Sequence, residues 1–469
     1  MRNTKYRYEV FSFMDYTGIA SHLAEMAKKG WLVEKLSNFG WTYRKIEPKK
    51  LTFYVSYFPK ASEFDPEPTE AQKTFYDFCW HTGWELAATS AQMQIFYNEQ
   101  ENPVPIETDP VVEVATIHQA AKKSFFPTHI VLLLLSVWYG FLFVSRLLGD
   151  PIGLLSSTSQ MVSGFAFTMA FLVCVVELSA YYLWYAKAKK AAVDGRFVKA
   201  YSTSRLQWII LAAVFMGYIY WIISEVILGP ALKRTVGTAM IFYTAALIIL
   251  VNTIKQLMKR KNVPRNVNRI LTISASFILS FCMMGVITFS VLRASQNGFF
   301  DRDKETYEYN GATFTVYKDE LPLTVEDMLD IQYDGYIKER RSDESWLLGQ
   351  FVMHQWPRFD AEQFIQIPDL EYTITEVKLS SIYDFCKNSL LNAKQDEIVD
   401  GHIDFYDHYE PVDPEPWDAE EAYRLYWGSG DFLDRYLLCY ERRIVEIRFD
   451  WEPTVEQMGI VAERLAGEQ

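Results

Sequence analysis

Cysteine is scarce in this chain of 469 residues, and what there is follows no motif. Cys79, Cys174, Cys282, Cys386 and Cys439 form no CxxC pair, so zinc-ribbon and dithiol redox readings lose their support. Cys386 and Cys439 fall in one segment and are close enough in kind to pair, but two free buried thiols are the expectation. Catalytic motifs are missing as well. No DxDxDG loop points to calcium, and no fixed-spacing ligand motif points to another metal. Residues 1–30 are polar and charged, so no cleavable signal peptide is expected and the first apolar run would do the targeting.

Positive charge is also missing where a nucleic-acid binder would need it. Residues 1–126 carry 14 Lys/Arg and 16 Asp/Glu, a net of −2. A near-neutral domain lacks the basic footprint of direct nucleic-acid binding. Residues 293–469 carry 17 Lys/Arg and 39 Asp/Glu, a net of −22, which repels nucleic acid and anionic lipid alike. Residues 127–292 have 15 and 4, a net of +11.

What is present is apolar length. Five runs, at about 127–148, 162–186, 206–228, 236–254 and 270–292, each approach the ~20 residues that cross ~30 Å of hydrocarbon. The partner this implies is a lipid bilayer. Basic residues flank the runs unevenly. Lys122 and Lys123 precede the first. Lys187, Lys189, Lys190, Arg196, Lys199 and Arg205 lie between the second and third. Lys255, Lys259, Arg260, Lys261, Arg265 and Arg269 lie between the fourth and fifth. Residues 149–161 have no Lys or Arg, and residues 229–235 have only Lys233 and Arg234. The positive-inside rule then expects a multi-pass cell-membrane protein with a cytoplasmic N-terminus and an extracytoplasmic C-terminal domain. No run has an internal proline and no two halves match, so a transporter built on broken helices is the poorer reading.

Three ionisable residues interrupt the runs: Arg146, Glu177 and Glu225. Arg146 and Glu225 lie near run ends, where long side chains reach water. Glu177 lies deeper and is the intramembrane polar candidate. Its alternative is a hydrogen-bonded contact between helices, with Ser or Tyr as neighbours.

Before the membrane block, residues 1–110 read as a soluble α+β domain. Alternation over 6–13 suits a strand. Asp15 or Thr17 can cap a helix through Ile19, Leu23, Met26 and Ala27, which Gly30 ends. Residues 31–46 read as one extended stretch and 51–58 as its return. A second helix over 71–81, Gly83-Trp84 and an extended stretch over 85–97 repeat the plan. This order, βαββαβ, is the ferredoxin-like arrangement. The repeated Gly-Trp pairs fit helix stops and core anchors better than a site. Residues 111–126 read as a linker with a short amphipathic lead-in.

The residues Phe13-x-Asp15, Leu23-x-x-Met26-Ala27-x-x-Gly30-Trp31, Tyr54-x-x-x-Tyr-x-Pro59 and Gly83-Trp84-Glu85 resemble the family catalogued as domain of unknown function 2812. The likeness covers about the first quarter of the chain. It implies a bacterial protein, a domain joined to several membrane spans, and a gene beside regulators of the PadR-like type. A PadR-like transcription regulator is thus the protein partner the resemblance implies. It implies no catalytic residue and no cofactor.

Residues 293–469 read as an acidic α+β domain. Extended runs are expected over 312–317, 347–353 and 372–378, a helix over 380–391 and a short helix near 419–426. A hairpin over 436–451 places Val445, Ile447 and Phe449 on one face. Thr454 to Gln457 is a capping box that opens a last helix. Strand spacing in 401–408 would align His402, Asp404, Tyr406 and His408. Imidazoles and a carboxylate are normal zinc ligands, so His402, Asp404 and His408 are the metal candidates. A solvated strand face is the alternative.

The expectation for the whole is a non-enzymatic sensing, binding or regulatory membrane protein. An envelope metal-binding protein or enzyme, and a small-solute transporter, are the other readings.

Overall fold

The computed structural model describes residues 3–37, 40–297, 299–301, 305–331, 333–361, 367–392, 398–399, 402–403, 408–427 and 431–467. The chain divides into two compact units. The first holds residues 1–140, 165–222 and 233–291. It begins with β1 (Thr4–Arg7), α1 (Tyr16–Lys28), β2 (Trp31–Lys35) and β3 (Trp41–Lys45). The same order follows at once as β4 (Thr52–Tyr57), α2 (Glu70–His81), β5 (Glu85–Ser90) and β6 (Met93–Asn98).

Gly30 and Gly83 set this repeat. They take φ of +82° and +86° after α1 and α2, a left-handed conformation that only glycine adopts without strain. Each extended stretch expected after a Gly-Trp pair is two strands, because each folds back on itself. The β5–β6 turn passes through Ala91 at φ +47°. Alanine does not announce such a turn as Asn or Gly does. Each half makes its own antiparallel sheet, in the orders β1-β3-β2 and β4-β6-β5. Two three-stranded sheets therefore stand where the ferredoxin-like reading expects one sheet of four strands. Helix α1 packs against β4 of the second half as well as against β2 of its own.

The remaining helices are α3 (Pro110–Lys123), α4 (Phe125–Gly149), α5 (Pro151–Ser156), α6 (Thr158–Val193), α7 (Ser204–Ile227), α8 (Ala231–Arg260) and α9 (Arg265–Gln296). Five of them, α4, α6, α7, α8 and α9, are long and apolar enough to cross a membrane. Helix α6 has 36 residues, roughly 54 Å at 1.5 Å per residue. That is far more than a ~30 Å hydrocarbon layer requires. The surplus has a place. Tyr181, Trp184 and Ala188 of α6, with Ile117, Ala120 and Ala121 of α3, join Ile19, Leu23, Met26, Val33, Tyr43, Val55 and Ile95 in one core. Tyr181, Trp184 and Ala188 in that half of α6 face protein, while Tyr182 and Leu183 stay exposed.

The second unit holds residues 141–164, 223–232 and 292–469. Its elements after the helices are β7 (Glu305–Tyr309), β8 (Ala312–Val316), β9 (Ile337–Glu344), β10 (Leu348–Trp356) and β11 (Leu370–Val377), then α10 (Tyr383–Asn392). There follow β12 (Ile398–Val399), β13 (His402–Ile403), β14 (His408–Val412), β15 (Glu421–Trp427), β16 (Asp431–Cys439), β17 (Arg443–Phe449) and α11 (Val455–Leu465). Seven strands form one antiparallel sheet in the order β14-β15-β16-β17-β11-β10-β9.

The short helix expected near 419–426 is strand β15. Ala422 and Leu425 are both buried, a three-residue spacing that imitates a helix. A register shift between Arg424 and Tyr426 produces it by breaking the alternation. Thr454 and Gln457 form the expected capping box and start α11. That helix lays Val461 and Leu465 over Tyr372, Ile374, Leu438, Val445, Ile447 and Phe449. The opposite face carries Leu348, Val377, Leu437 and Ile444 with Cys386 and Cys439, which are free thiols. Ile152 and Leu155 of α5 complete that second core.

Candidate functional site

Polar residues gather where the N-terminal module meets the helices of the first unit. The segment joining α6 to α7 is pinned from the module side. Tyr16 donates its hydroxyl to the Val198 carbonyl at 2.9 Å, and the Trp184 indole N–H reaches the same oxygen at 3.3 Å. Trp184 is fully buried. A few residues on, Ser202 Oγ donates to Asp15 Oδ2 at 2.6 Å. The other oxygen of Asp15 accepts the Gly18 N–H at 3.0 Å, the N-cap bond of α1. One carboxylate thus starts a helix of the module and holds the connection between two membrane helices.

Glu177 lies beside it. Its carboxylate accepts Ser12 Oγ on one oxygen, and Thr203 Oγ1 and Gln207 Nε2 on the other, the last at 2.7 Å. Thr203 precedes α7 and Gln207 is in its first turn. Glu177 is therefore level with the start of a helix rather than in mid-span. Hydropathy misplaces it because α6 continues apolar into the module core.

Asp15 and Glu177 are 1 % and 2 % exposed. Among the described residues, no Lys, Arg or His is bonded to either. Burial pushes the Asp15 carboxyl up from its ordinary value. The bonds from Ser202 and Gly18 oppose that, and the nearby Glu177 charge adds to it. Hydroxyls and amides can solvate such a pair, but they do not cancel its charge. Close by, burial pushes Glu113 of α3 up to about 7; its bond with Tyr16 works against this and Glu107 works with it.

A second contact holds the acidic loop after β4. Lys255 Nζ pairs with Glu63 at 3.1 Å, and Lys259 Nζ donates to the Glu63 carbonyl at 3.3 Å. Arg265 donates to the Lys60 carbonyl at 2.9 Å. Asn268, fully buried, donates to the Phe64 carbonyl at 3.2 Å. Lys255, Lys259 and Arg265 are the residues whose charge suggested orientation in the sequence. A polar cleft of about 620 Å³ opens between this loop, the β5–β6 turn and α8.

The metal candidates are not brought together by what is described. His408 Nε2 lies 3.2 Å from Glu410 Oε1, and its ring leans on Tyr426 at 5.1 Å. His402 is in β13, but its side chain, Asp404 and Tyr406 lie outside the described residues. Among the described residues, no group of three His, Cys, Asp or Glu is placed to hold a metal ion.

The sequence singles out Glu177, whose hydrogen bonds match the alternative of a contact between segments, but it gives no sign of Ser12, Ser202 and Thr203 as its surroundings. Asp15 was visible only as a helix cap. Nothing in the local sequence signals a partner 187 residues away.

No curated protein and no solved structure matches the chain. The family described as Protein of unknown function (DUF2812) matches residues 15–128, from Asp15 through α3 into the start of α4.

Proposed function

We propose that this is a non-enzymatic regulatory protein of the cell membrane. In this reading the N-terminal module is a cytoplasmic binding domain, the acidic domain is extracytoplasmic, and the helices couple the two. One observation carries the proposal: the module's core is completed by α3 and α6. A domain built this way cannot swing on a tether, so a change in the packing of α6 or α7 alters the module itself. The buried Asp15–Glu177 junction is the element that such a change would bias. The orientation is supported in each unit separately. In the first, the module holds the Lys- and Arg-rich connections. In the second, the acidic domain holds α5, which lies within the Lys- and Arg-free stretch 149–161.

Labelling with a membrane-impermeant maleimide tests the orientation. Four native cysteines are buried, leaving only Cys282 exposed, on the apolar α9. Lys73→Cys should stay unlabelled in intact cells and react after permeabilisation, while Glu441→Cys should react at once. The reverse pattern overturns the reading. A PadR-like regulator is the partner proposed for the module. It should co-purify with the full chain in detergent and be lost on Asp15→Ala; retention of the regulator by that variant removes the junction from the mechanism.

A further inference from the structure

In the acidic domain, one described groove is lined mainly by positive charge. Beside the end of α11, on the face of the sheet that helix covers, a groove of about 290 Å³ lies over Phe351, Met353 and Ile374. The register puts Arg340 opposite Met353, and Arg443 opposite Glu376, at two edges of this floor. Arg464 of α11 closes a third side and Pro322 the fourth. Three guanidinium groups and one carboxylate therefore line a hollow in a segment whose net charge is −22.

These arginines are weakly engaged. Arg443 comes no closer than 3.8 Å to Glu376, and Arg464 no closer than 3.6 Å to Asp327. The Arg340 guanidinium sits 5.6 Å from the centre of the Phe351 ring, and among the described residues it has no ion pair. An arginine that only stabilises the fold is expected to hold a carboxylate closely, as Arg358 holds Asp360 at 2.6 Å and 2.9 Å in the same domain. Guanidinium forks engaged this loosely above an apolar floor suit a different partner. A carboxylate or phosphate takes two N–H bonds from such a fork, and an apolar body takes the floor. The volume lies at the small end of ligand pockets.

We infer that the groove formed by Arg340, Arg443, Arg464, Phe351, Met353 and Ile374 binds a small organic anion with a short apolar body. This site is argued from its own geometry and goes beyond the coupling proposed above, which stands or falls on the junction in the first unit.

The test is calorimetric titration of the full chain, held in nanodiscs of zwitterionic lipid, with hexanoate, hexyl phosphate, hexylamine and inorganic phosphate. Hexanoate or hexyl phosphate should bind saturably, and the tighter of the two identifies the headgroup. Hexylamine should not bind, and inorganic phosphate should bind at least tenfold more weakly than hexyl phosphate. Arg340→Gln, on the exposed rim, should weaken the anion at least fivefold, and Arg340→Gln with Arg464→Gln at least twentyfold. Unchanged thermal unfolding of both variants without ligand establishes that they fold. Equal binding of hexylamine, or undiminished anion binding by the single variant, reduces the signal to bilayer partition and overturns the site. Inorganic phosphate binding as tightly as hexyl phosphate overturns the role of the apolar floor.

Discussion

Glu177→Ala strands three donors at once. Ser12, Thr203 and Gln207 would lose their acceptor in a site closed to water. Leaving buried donors unsatisfied costs about 1–3 kcal/mol each when no water replaces the acceptor. Loss of at least ~2 kcal/mol is therefore expected, read as a lowered thermal midpoint of the full chain in detergent. Glu177→Gln keeps an acceptor oxygen and removes the charge, so it should cost less than half as much. If the two variants unfold alike, the hydrogen bonds at Glu177 contribute nothing beyond its shape.

The pH response of the module follows from Glu113. Its folded value near 7 lies above the ordinary 4.5, so the folded state holds the proton more tightly than the unfolded one. Stability from this group is complete below about 4.5 and is lost as pH rises towards 7. Asp15 acts in the same direction from a lower starting value. Amide exchange across α1 and α3 should therefore speed up between pH 5 and 7 beyond the intrinsic base-catalysed rise. Glu113→Gln should flatten that excess. An excess that persists in the variant assigns it to other groups.

At the scale of elements, the two Gly-Trp junctions separate on close approach. A Cβ at Gly30 would meet the Ile46 carbonyl at 3.0 Å, whereas at Gly83 the nearest atom is Asn98 Nδ2 at 3.2 Å, the end of a side chain. Both positions also have positive φ. Each Gly→Ala change should destabilise by more than ~1 kcal/mol, and Gly30→Ala should be the worse of the two, as chemical denaturation would show. A larger loss at Gly83 would mean that backbone strain, rather than contact, sets the cost.

Those glycines also mark how far local sequence reaches. Helix ends, caps and the last hairpin follow from short-range chemistry: Gly30, Thr454 with Gln457, and the alternation of Val445, Ile447 and Phe449. The split of each expected long strand rests on Ala91 in one case, a residue with no turn preference. Strand β9 was missed because it is an edge strand of charged residues, Lys338 to Glu344, which protects an edge but hides its periodicity. The carboxylate pair was half visible for a related reason. A polar residue in an apolar run stands out, but its partners come from two other segments, around residues 12–18 and 202–207. Their meeting depends on how the start of the module packs against α6 and α7, which no local pattern records.

For the whole molecule, the charge expected to orient the chain under the positive-inside rule and the charge that holds the module are partly the same. Lys255, Lys259 and Arg265 engage the loop containing Glu63 and Asp65. Exchanging Lys255 and Arg265 for Gln should leave the chain inserted in the membrane and make the loop near Glu63 the first site cut in limited proteolysis. High salt should do the same to the parent chain, since exposed pairs are screened. Resistance of the loop in both experiments would credit Asn268 and its bond to Phe64 instead.

In the second unit, α5 is part of the core of a domain that follows much later in the chain. Ser345 Oγ donates to the Leu155 carbonyl at 2.5 Å across 190 residues. At ~5–20 residues per second of synthesis, Leu155 waits roughly 10–40 s for that partner. Ile152 and Leu155 remain unmatched through that interval, while the helices between them and the sheet are still being made. The acidic domain's second core therefore opens with a helix made long before its strands, and it closes only when the sheet has been synthesised.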